Sequence, residues 1–347
     1  MTLIACFHPR QCRTLLGDIL ISSKVTDRKV VLPTGATIAP QRLQSILWKP
    51  HTFCRKVIEI TPEMVILWAG KYEEARKLAR HAKDWFREGR PTADDVQQLV
   101  EAHYRDKIPN FWAIIAPAGE NWFYTLGEIT KAESSLCGQY AVAGTGAKAF
   151  QTLVSATPLP EGGGTIMPDL MAFSFSGELM SREILTGEPI YSGFGACYEV
   201  LCHDVGGFRK IDDALHVFID IDLSNTEPKF WLWSRLVRQW YDDDRLCIAS
   251  MSLTEGLGSQ GFVVPSVLDD QEYISTSPVI NFSTQPHYVC IHEHFQRLQR
   301  QTSLCFVSKD SSVNQYITMP DDRFELRQKY IERLLEICKN IEALPHW

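Results

Sequence analysis

The sequence predicts an α+β fold in which two antiparallel sheets pack face to face and helices cover both outer sides, a four-layer α-β-β-α sandwich. Two observations lead to this class. Over residues 1–222 the predicted elements follow the order strands, two helices, strands, two helices, strands. Several strands are apolar on both faces, which is typical of strands buried on both sides.

The strands are predicted from short apolar runs bounded by turn residues. In the first strand Leu3, Ala5 and Phe7 lie on one face and Ile4 and Cys6 on the other, so both faces are apolar. A polar, irregular stretch reaches to about residue 51. The predicted strands span residues 3–7, 15–22, 56–60, 64–69, 111–116, 122–126, 140–144, 197–202, 208–211 and 215–221.

The helices are predicted from apolar residues at helical spacing. In the first helix the spacing is carried by Ala75, Leu78, Ala79, Ala82 and Phe86. The predicted helices span residues 72–87, 93–104, 147–154 and 168–185, with a closing helix over 322–344. Between the sandwich and the closing helix, strand-like runs occur at residues 230–236, 246–253, 288–291 and 304–307.

Composition narrows the class of function. The 347-residue chain carries a net charge of -7, whereas a general nucleic-acid binder has a basic excess, so we expect no nucleic-acid partner. The sequence has no apolar run of membrane-spanning length and no signal peptide, which predicts a cytoplasmic protein without a membrane partner. Its 10 cysteines form no C-x-x-C pair, so we expect buried thiols in a reducing compartment and no disulfide framework.

Thr2 is the first candidate catalytic residue. Initiator methionine is removed ahead of small residues, so loss of Met1 would leave Thr2 with a free α-amine. Such an amine titrates at about pH 7.7–8.0. It can therefore take the proton of its own hydroxyl without a separate histidine.

Short motifs follow Thr2, each on a predicted strand or turn. They are Leu16-Gly17-Asp18, Lys56-Val57-Ile58-Glu59-Ile60, Trp68-Ala69-Gly70, Gly144-Thr145-Gly146 and Tyr191-Ser192-Gly193. With Thr2 they resemble the proteasome β-subunits, a family of N-terminal-nucleophile hydrolases, over residues 1–222. The resemblance implies that family's fold and a threonine peptidase that cleaves peptide or protein substrates, uses no cofactor and forms homo-oligomers such as rings.

The resemblance also implies a role for each matching residue. Thr2 attacks a carbonyl carbon, and Lys56 places a positive charge beside its hydroxyl and lowers the hydroxyl pKa. Asp18, sixteen positions after Thr2, keeps Lys56 charged. The N–H group of Gly70 meets the developing oxyanion.

Four further residues would bind substrate or the α-amine. Thr145 and Ser192 would hold the amine or a water beside it. Trp68 stands at the base of the main specificity pocket, with Ser22 as a second substrate-binding residue. The bulk of Trp68 predicts a shallow pocket that favours small side chains.

Three features depart from the family pattern. The family has an aspartate just before the Tyr-Ser-Gly turn, where this chain has Pro189, with Glu188 one residue earlier. Glu188 would take the auxiliary role only if the backbone shifts. The loop over residues 23–55 is longer than in the family, and residues 223–347 form a C-terminal extension whose role the resemblance does not give.

Two alternative functions stay open. One is an amidase acting on a small amide, because the same fold and nucleophile serve that chemistry in other N-terminal-nucleophile families. The other is an inactive, proteasome-like scaffold subunit, which the Pro189 mismatch favours. His292-Glu293-His294 has the residue types of a metal site but no matched third ligand, so we expect no metal there.

Overall fold

The computed structural model describes residues 2–9, 12–24, 30–36, 48–87, 91–104, 106, 108–118, 123–157, 167–222, 229–252, 260–269, 274–276, 286–295, 300–307, 317–318 and 325–342. The fold contains both helices and several antiparallel sheets. The predicted α+β class is therefore confirmed.

The strands agree closely with the predicted ones. They are β1 Ile4–Phe7, β2 Thr14–Asp18, β3 Leu20–Ser23, β4 Lys49–Phe53, β5 Val57–Thr61, β6 Met64–Gly70, β7 Phe111–Pro117, β8 Tyr124–Leu126, β9 Thr130–Ser134, β10 Gly138–Ala143, β11 Tyr198–Asp204, β12 Gly207–Lys210, β13 Ala214–Asp222, β14 Lys229–Asp242, β15 Arg245–Ser252, β16 Gln260–Val264, β17 Ile274–Thr276, β18 Tyr288–Phe295, β19 Arg300–Val307, β20 Ile317–Thr318 and β21 Glu325–Leu326. Each predicted strand overlaps an observed one.

The helices are α1 Tyr72–Trp85, α2 Ala93–His103, α3 Ala147–Ala156, α4 Pro168–Thr186, α5 Glu188–Tyr191 and α6 Gln328–Glu342. Local sequence sets several of their ends. Thr92 and Asp95 form a capping box at the start of α2. Pro168 opens α4, and Gly187, with a φ of +67°, ends it. Of the helices in the described part of the chain, none has both the length and the apolar character needed to cross a bilayer.

The chain divides into two units. Unit 1 comprises residues 1–32, 36–211 and 263–274, and unit 2 comprises residues 33–35, 212–262 and 275–347. The sequence placed the division after residue 222. The structure divides the chain earlier because β13 pairs with β14 and β18 in a seven-stranded sheet.

Unit 1 contains a six-stranded sheet with the order β12-β11-β2-β1-β10-β9 and a four-stranded sheet with the order β5-β6-β7-β8. One buried cluster joins inward-facing residues of both sheets, and it includes Ile4, Leu15, Ala141, Leu201, Val57, Val65, Leu67 and Ile114. The two sheets therefore pack against each other through apolar side chains, which is the main favourable term in the stability of such a layer.

Helices cover the outer faces of both sheets. Ile58, Ile66 and Trp68, which alternate with the inward-facing residues of β5 and β6, pack with Leu78 of α1 and Leu99 of α2. On the six-stranded sheet, Phe7 contacts Phe150 of α3 and Phe175 of α4, with ring centroids 5.6 and 6.0 Å apart. In the described part of unit 1, α1 and α2 thus contact one sheet, and α3 and α4 contact the other.

Two strands of unit 1 were not predicted. The predicted strand over residues 15–22 is divided at Ile19, whose N–H donates to Cys197 O and whose carbonyl accepts from Cys54. Its second half, β3, pairs with β4, which lies in the stretch predicted to be irregular. The other, β9, is polar and lies at a sheet edge, so neither strand shows the apolar alternation that sequence analysis uses.

Unit 2 is built on a seven-stranded sheet with the order β17-β16-β15-β14-β13-β18-β19. Its β13 and β18 are parallel neighbours, and β18 and β19 are antiparallel. On one face, Glu293 of β18 accepts hydrogen bonds from Tyr330 and Arg333 of α6. The closing helix is thus attached to the sheet of unit 2.

Two cysteines of unit 2 are joined by a disulfide. Cys290 of β18 and Cys305 of β19 occupy directly opposed positions in the antiparallel pair. The prediction that the cysteines are unpaired thiols was wrong for this pair, because strand register, and not sequence spacing, brings them together. The other cysteines that the structure describes are free: Cys6, Cys12, Cys54, Cys137, Cys197, Cys202 and Cys247.

Two buried histidines lie on the neighbouring strands β13 and β18. His216 Nδ1 lies 3.0 Å from His292 Nε2, and His292 Nδ1 lies 2.9 Å from Ser303 Oγ. Burial lowers the pKa of His292 from 6.5 to about 3. Burial, and then the neighbouring His292, lowers the pKa of His216 well below 6.5.

Acid is therefore expected to destabilise unit 2. Both histidine pKa values are lower in the folded than in the unfolded state, so this stability is complete above pH 6.5 and is lost as the pH falls toward 3. Each histidine contributes a slope of about 1.4 kcal/mol per pH unit within its own interval. Urea titrations at several pH values from 7 to 4 measure the free energy of unfolding. In His292→Gln this free energy should change less with pH than in the wild type. The same change in the free energy of unfolding with pH in both proteins would contradict this account.

Candidate active site

Three strands bring the predicted catalytic residues together. Thr2 precedes β1, Asp18 ends β2 and Lys56 precedes β5. The β1–β2 register places Asp18 opposite Leu3: the Asp18 N–H donates to Leu3 O, and the Leu3 N–H donates to Asp18 Oδ1, both at 3.0 Å. Residues sixteen apart in sequence thus become neighbours through an antiparallel strand pair.

The Thr2 hydroxyl lies between an ammonium group and a carboxylate. Lys56 Nζ donates to Thr2 Oγ1 at 3.0 Å and to Leu20 O at 2.7 Å, and it lies 3.4 Å from Asp18 Oδ1. The Thr2 hydroxyl donates to the same Asp18 oxygen. Oγ1 therefore has a positive charge and a proton acceptor as immediate neighbours.

All three side chains are inaccessible to solvent. Thr2 and Asp18 are 0% exposed and Lys56 is 1% exposed. A buried ammonium or carboxylate without a partner costs several kcal/mol, so Lys56 and Asp18 each require the other. Met1, whose removal the sequence analysis assumes, lies outside the described residues.

A second buried ion pair adjoins the site. Arg55, next to Lys56 in sequence, donates to Glu199 Oε1 through Nε at 2.9 Å and through a terminal nitrogen at 2.7 Å. Glu199 lies on β11 opposite Gly17, one residue before Asp18. This pair was not predicted, because its only signal in the sequence was Glu199, a charged residue within an apolar strand.

Trp68 packs under Lys56. The Lys56 ammonium lies 5.2 Å from the centroid of the indole, and the indole Nε1 donates to Arg55 O at 3.1 Å. Trp68 is fully buried in the core between the four-stranded sheet and α1 and α2. Its ring thus supports the lysine, while its expected part in a specificity pocket stays a prediction.

The Gly144-Thr145-Gly146 turn holds the backbone of Thr2. The Gly146 N–H donates to Thr2 O at 3.1 Å, and the exposed Thr145 places its hydroxyl 3.5 Å from the same oxygen. At Gly144 φ is +90°, and a Cβ there would lie 2.1 Å from Thr2 O. Glycine is therefore required for the close approach of this turn to Thr2.

Gly70 ends β6, two residues after Trp68. Its φ is +95°, and a Cβ would lie 2.0 Å from Asn110 O. Glycine is thus required at position 70 for steric reasons, whereas the role of its N–H at the oxyanion stays a prediction.

The other predicted site residues are Glu188, Ser192 and Ser22. Glu188 is exposed at the start of α5, and the half-buried Ser192 donates its backbone N–H to Glu188 O at 2.9 Å. Among the described residues, no hydrogen bond joins either side chain to Thr2. The half-buried Ser22 lies on β3, and its Oγ is enclosed without a hydrogen-bond partner in the described part of the chain.

Glu183 is a buried acid that the sequence analysis did not select. It lies on α4, and its Oε2 accepts the Ala196 N–H at 2.7 Å. The preceding N–H, of Gly195, donates to Asp18 Oδ2 at 2.8 Å. In the sequence, Glu183 follows Leu179 and Met180 at helical spacing, so a charged residue beside apolar ones on one helix face was the signal available.

No family model matches the chain, and no curated protein matches it.

The arrangement can serve nucleophilic chemistry. A hydroxyl held beside an ammonium is easier to deprotonate, because the positive charge favours the alkoxide form. Within the described residues, no three histidine, cysteine, aspartate or glutamate side chains converge on one point. His294 instead contacts Asp220 at 2.8 Å, and Glu293 is bound by α6.

Proposed function

We propose that the chain is a threonine-nucleophile amidohydrolase of the N-terminal-nucleophile class, which cleaves peptide bonds through an acyl-enzyme on Thr2 once Met1 is removed. The observation that carries the proposal is the 3.0 Å contact between Lys56 Nζ and Thr2 Oγ1, with Asp18 beside both. The layer order of unit 1 supports the corresponding four-layer fold.

The proposed reaction proceeds in two steps. In the first, the α-amine of Thr2 takes the hydroxyl proton, Oγ1 attacks the carbonyl carbon, and the amine returns the proton to the leaving nitrogen. In the second, water attacks the resulting ester with the same amine as base, the bond between the acyl carbon and Oγ1 breaks, and the amine returns the proton to Oγ1. Lys56 stabilises negative charge on Oγ1, Asp18 keeps Lys56 charged, and the Gly70 N–H serves the oxyanion.

The proposal extends to the substrate and the assembly. A peptide or protein substrate with small side chains is consistent with the indole of Trp68 filling the space below Lys56. Self-association into a ring follows from the resemblance to proteasome β-subunits. Hydrolysis rates measured on a panel of chromogenic peptides and on small acyl amides distinguish the peptidase from the amidase alternative.

Intact mass tests the proposal directly. The protein is measured before and after incubation with an epoxyketone probe that reacts with N-terminal threonine. We expect a mass that lacks Met1 and that rises by one probe equivalent. A protein that retains Met1 and takes no probe has no free amine to act as base, and the proposal would then be abandoned.

One observation favours the inactive-scaffold alternative. Thr2 is completely buried, and its hydroxyl already donates to Asp18. In that reading the three residues form a structural polar cluster within the core of unit 1. The same mass measurement distinguishes the two, because a scaffold takes no probe.

Glu188→Ala is expected to leave the rate of probe labelling within about twofold of wild type, since exposed substitutions away from a site have small effects. Glu188 is exposed, and its backbone N–H, not its carboxylate, makes the local contact with Thr186. Labelling kinetics followed by mass spectrometry measure the rate. A loss of a hundredfold would show instead that Glu188 takes the auxiliary role expected from the family pattern.

A further inference from the structure

Two consecutive backbone N–H groups point at two different buried carboxylates. The Gly195 N–H donates to Asp18 Oδ2 at 2.8 Å, and the Ala196 N–H donates to Glu183 Oε2 at 2.7 Å. Both acids are 0% exposed. One short segment therefore links the carboxylate beside Thr2 to a carboxylate on α4.

This segment has a backbone that L-residues rarely adopt. The φ angle is +120° at Gly195, +72° at Ala196 and +147° at Cys197. Each non-glycine residue in such a conformation carries a cost in backbone strain. Contacts with the rest of the fold must offset that cost, and the donation from Ala196 to Glu183 is one of them.

Asp18 divides its two oxygens between different groups. Oδ1 accepts from the Leu3 N–H and the Thr2 hydroxyl and lies 3.4 Å from Lys56 Nζ. Oδ2 accepts from Gly195. The Gly195 N–H thus fixes the rotation of the carboxylate and keeps Oδ1 directed at Thr2 and Lys56.

We propose that Glu183 is a positioning residue of the Thr2 site, an inference that rests on the proposed function. Glu183 accepts the Ala196 N–H and so holds the segment of residues 195–197 in place. The Gly195 N–H of that segment in turn holds the Asp18 carboxylate. A Cβ at Gly195 would lie 2.4 Å from Glu183 Oε2, so the glycine leaves the room that the carboxylate occupies. Glu183 acts through Asp18, with no direct role at the reacting atoms.

The test compares three variants on α4. Glu183→Leu removes the acceptor and is expected to lower the maximal rate of probe labelling, kinact, about 100-fold, while the probe's KI is unchanged. Glu183→Gln keeps an acceptor oxygen and should restore kinact to near the wild-type value. Glu178→Leu is the matched control, because Glu178 lies on the same helix and pairs with Arg182 at 3.6 Å.

Hydrogen exchange at the Gly195 and Ala196 amides gives a readout that does not depend on activity. Both amides should lose protection in Glu183→Leu and keep it in Glu183→Gln and Glu178→Leu. Gly195→Ala, whose Cβ would displace the Glu183 carboxylate, should reproduce the Glu183→Leu result and replaces it if that variant does not fold.

The outcomes separate this inference from the proposed function. An unchanged kinact in Glu183→Leu, or an equal loss in Glu183→Gln, would overturn the positioning role. If wild-type Thr2 takes no probe, the proposed function fails, and hydrogen exchange at the two amides alone tests the role of Glu183. Protected Gly195 and Ala196 amides in Glu183→Leu would then overturn the role, and their loss of protection would support it.

Discussion

Thr2→Ala is expected to eliminate probe labelling and peptide hydrolysis, a loss of at least about 1,000-fold. The variant removes the oxygen that lies 3.0 Å from Lys56 Nζ. It keeps the α-amine, because methionine is also removed ahead of alanine. Stability should fall by only about 1 kcal/mol, since Lys56 keeps Asp18 and Leu20 O as partners.

Two matched variants complete this experiment. Thr14→Ala removes a hydroxyl from another fully buried threonine, on β2, and should keep wild-type activity. Thr2→Ser keeps a hydroxyl and an amine at the same position and should retain measurable turnover. The measurements are intact mass after probe treatment, kcat/KM on a peptide substrate and the melting temperature. Full activity in purified Thr2→Ala would exclude Thr2 as the nucleophile.

Lys56→Met is expected to abolish labelling and also to destabilise the protein by about 3–5 kcal/mol. Methionine fills much of the space of the lysine stem above Trp68 but leaves the Asp18 carboxylate buried without its ammonium partner. Urea unfolding measures the loss of stability, and probe labelling measures the loss of reactivity.

A double variant separates the two effects. Lys56→Met combined with Asp18→Asn removes the unpaired charge and should recover most of the stability while remaining unreactive. Lys210→Met is the matched control, because Lys210 pairs with Glu59 at 2.9 Å in a partly exposed position, and it should cost at most about 1 kcal/mol. If Lys56→Met were as stable as Lys210→Met, the buried pair would not be the stabilising contact described.

The sequence predicted most of the secondary structure of unit 1 because its strands and helices carry strong local patterns. Residues 64–69 are apolar throughout and form β6, and the helical spacing from Ala75 to Phe86 matches α1. The patterns failed where a strand is polar and depends on its partner. β4 is such a strand, since it forms only through pairing with β3.

The candidate site was partly visible in the same way. Asp18 is a charged residue within an apolar strand, which signals a partner elsewhere in the fold. Lys56 was selected through the motif that it opens. The structure brings them together with Thr2 and Thr145 but leaves Glu188 exposed at the surface. Arg55 with Glu199, and Glu183 with Ala196, carry no motif, so their contacts could not be predicted from spacing.

The sequence by itself thus determined the class of the fold, the order of its elements and the residues that most need a buried partner. Tertiary structure alone decided which partners they have. Register across β1, β2 and β11 places Asp18 against Leu3 and Glu199 opposite Gly17. A side-chain contact outside that register joins Arg55 to Glu199, and a cross-strand register in unit 2 joins Cys290 to Cys305. Local patterns record burial and periodicity along one segment, whereas hydrogen-bond and ion-pair partners depend on the alignment of segments far apart in the chain.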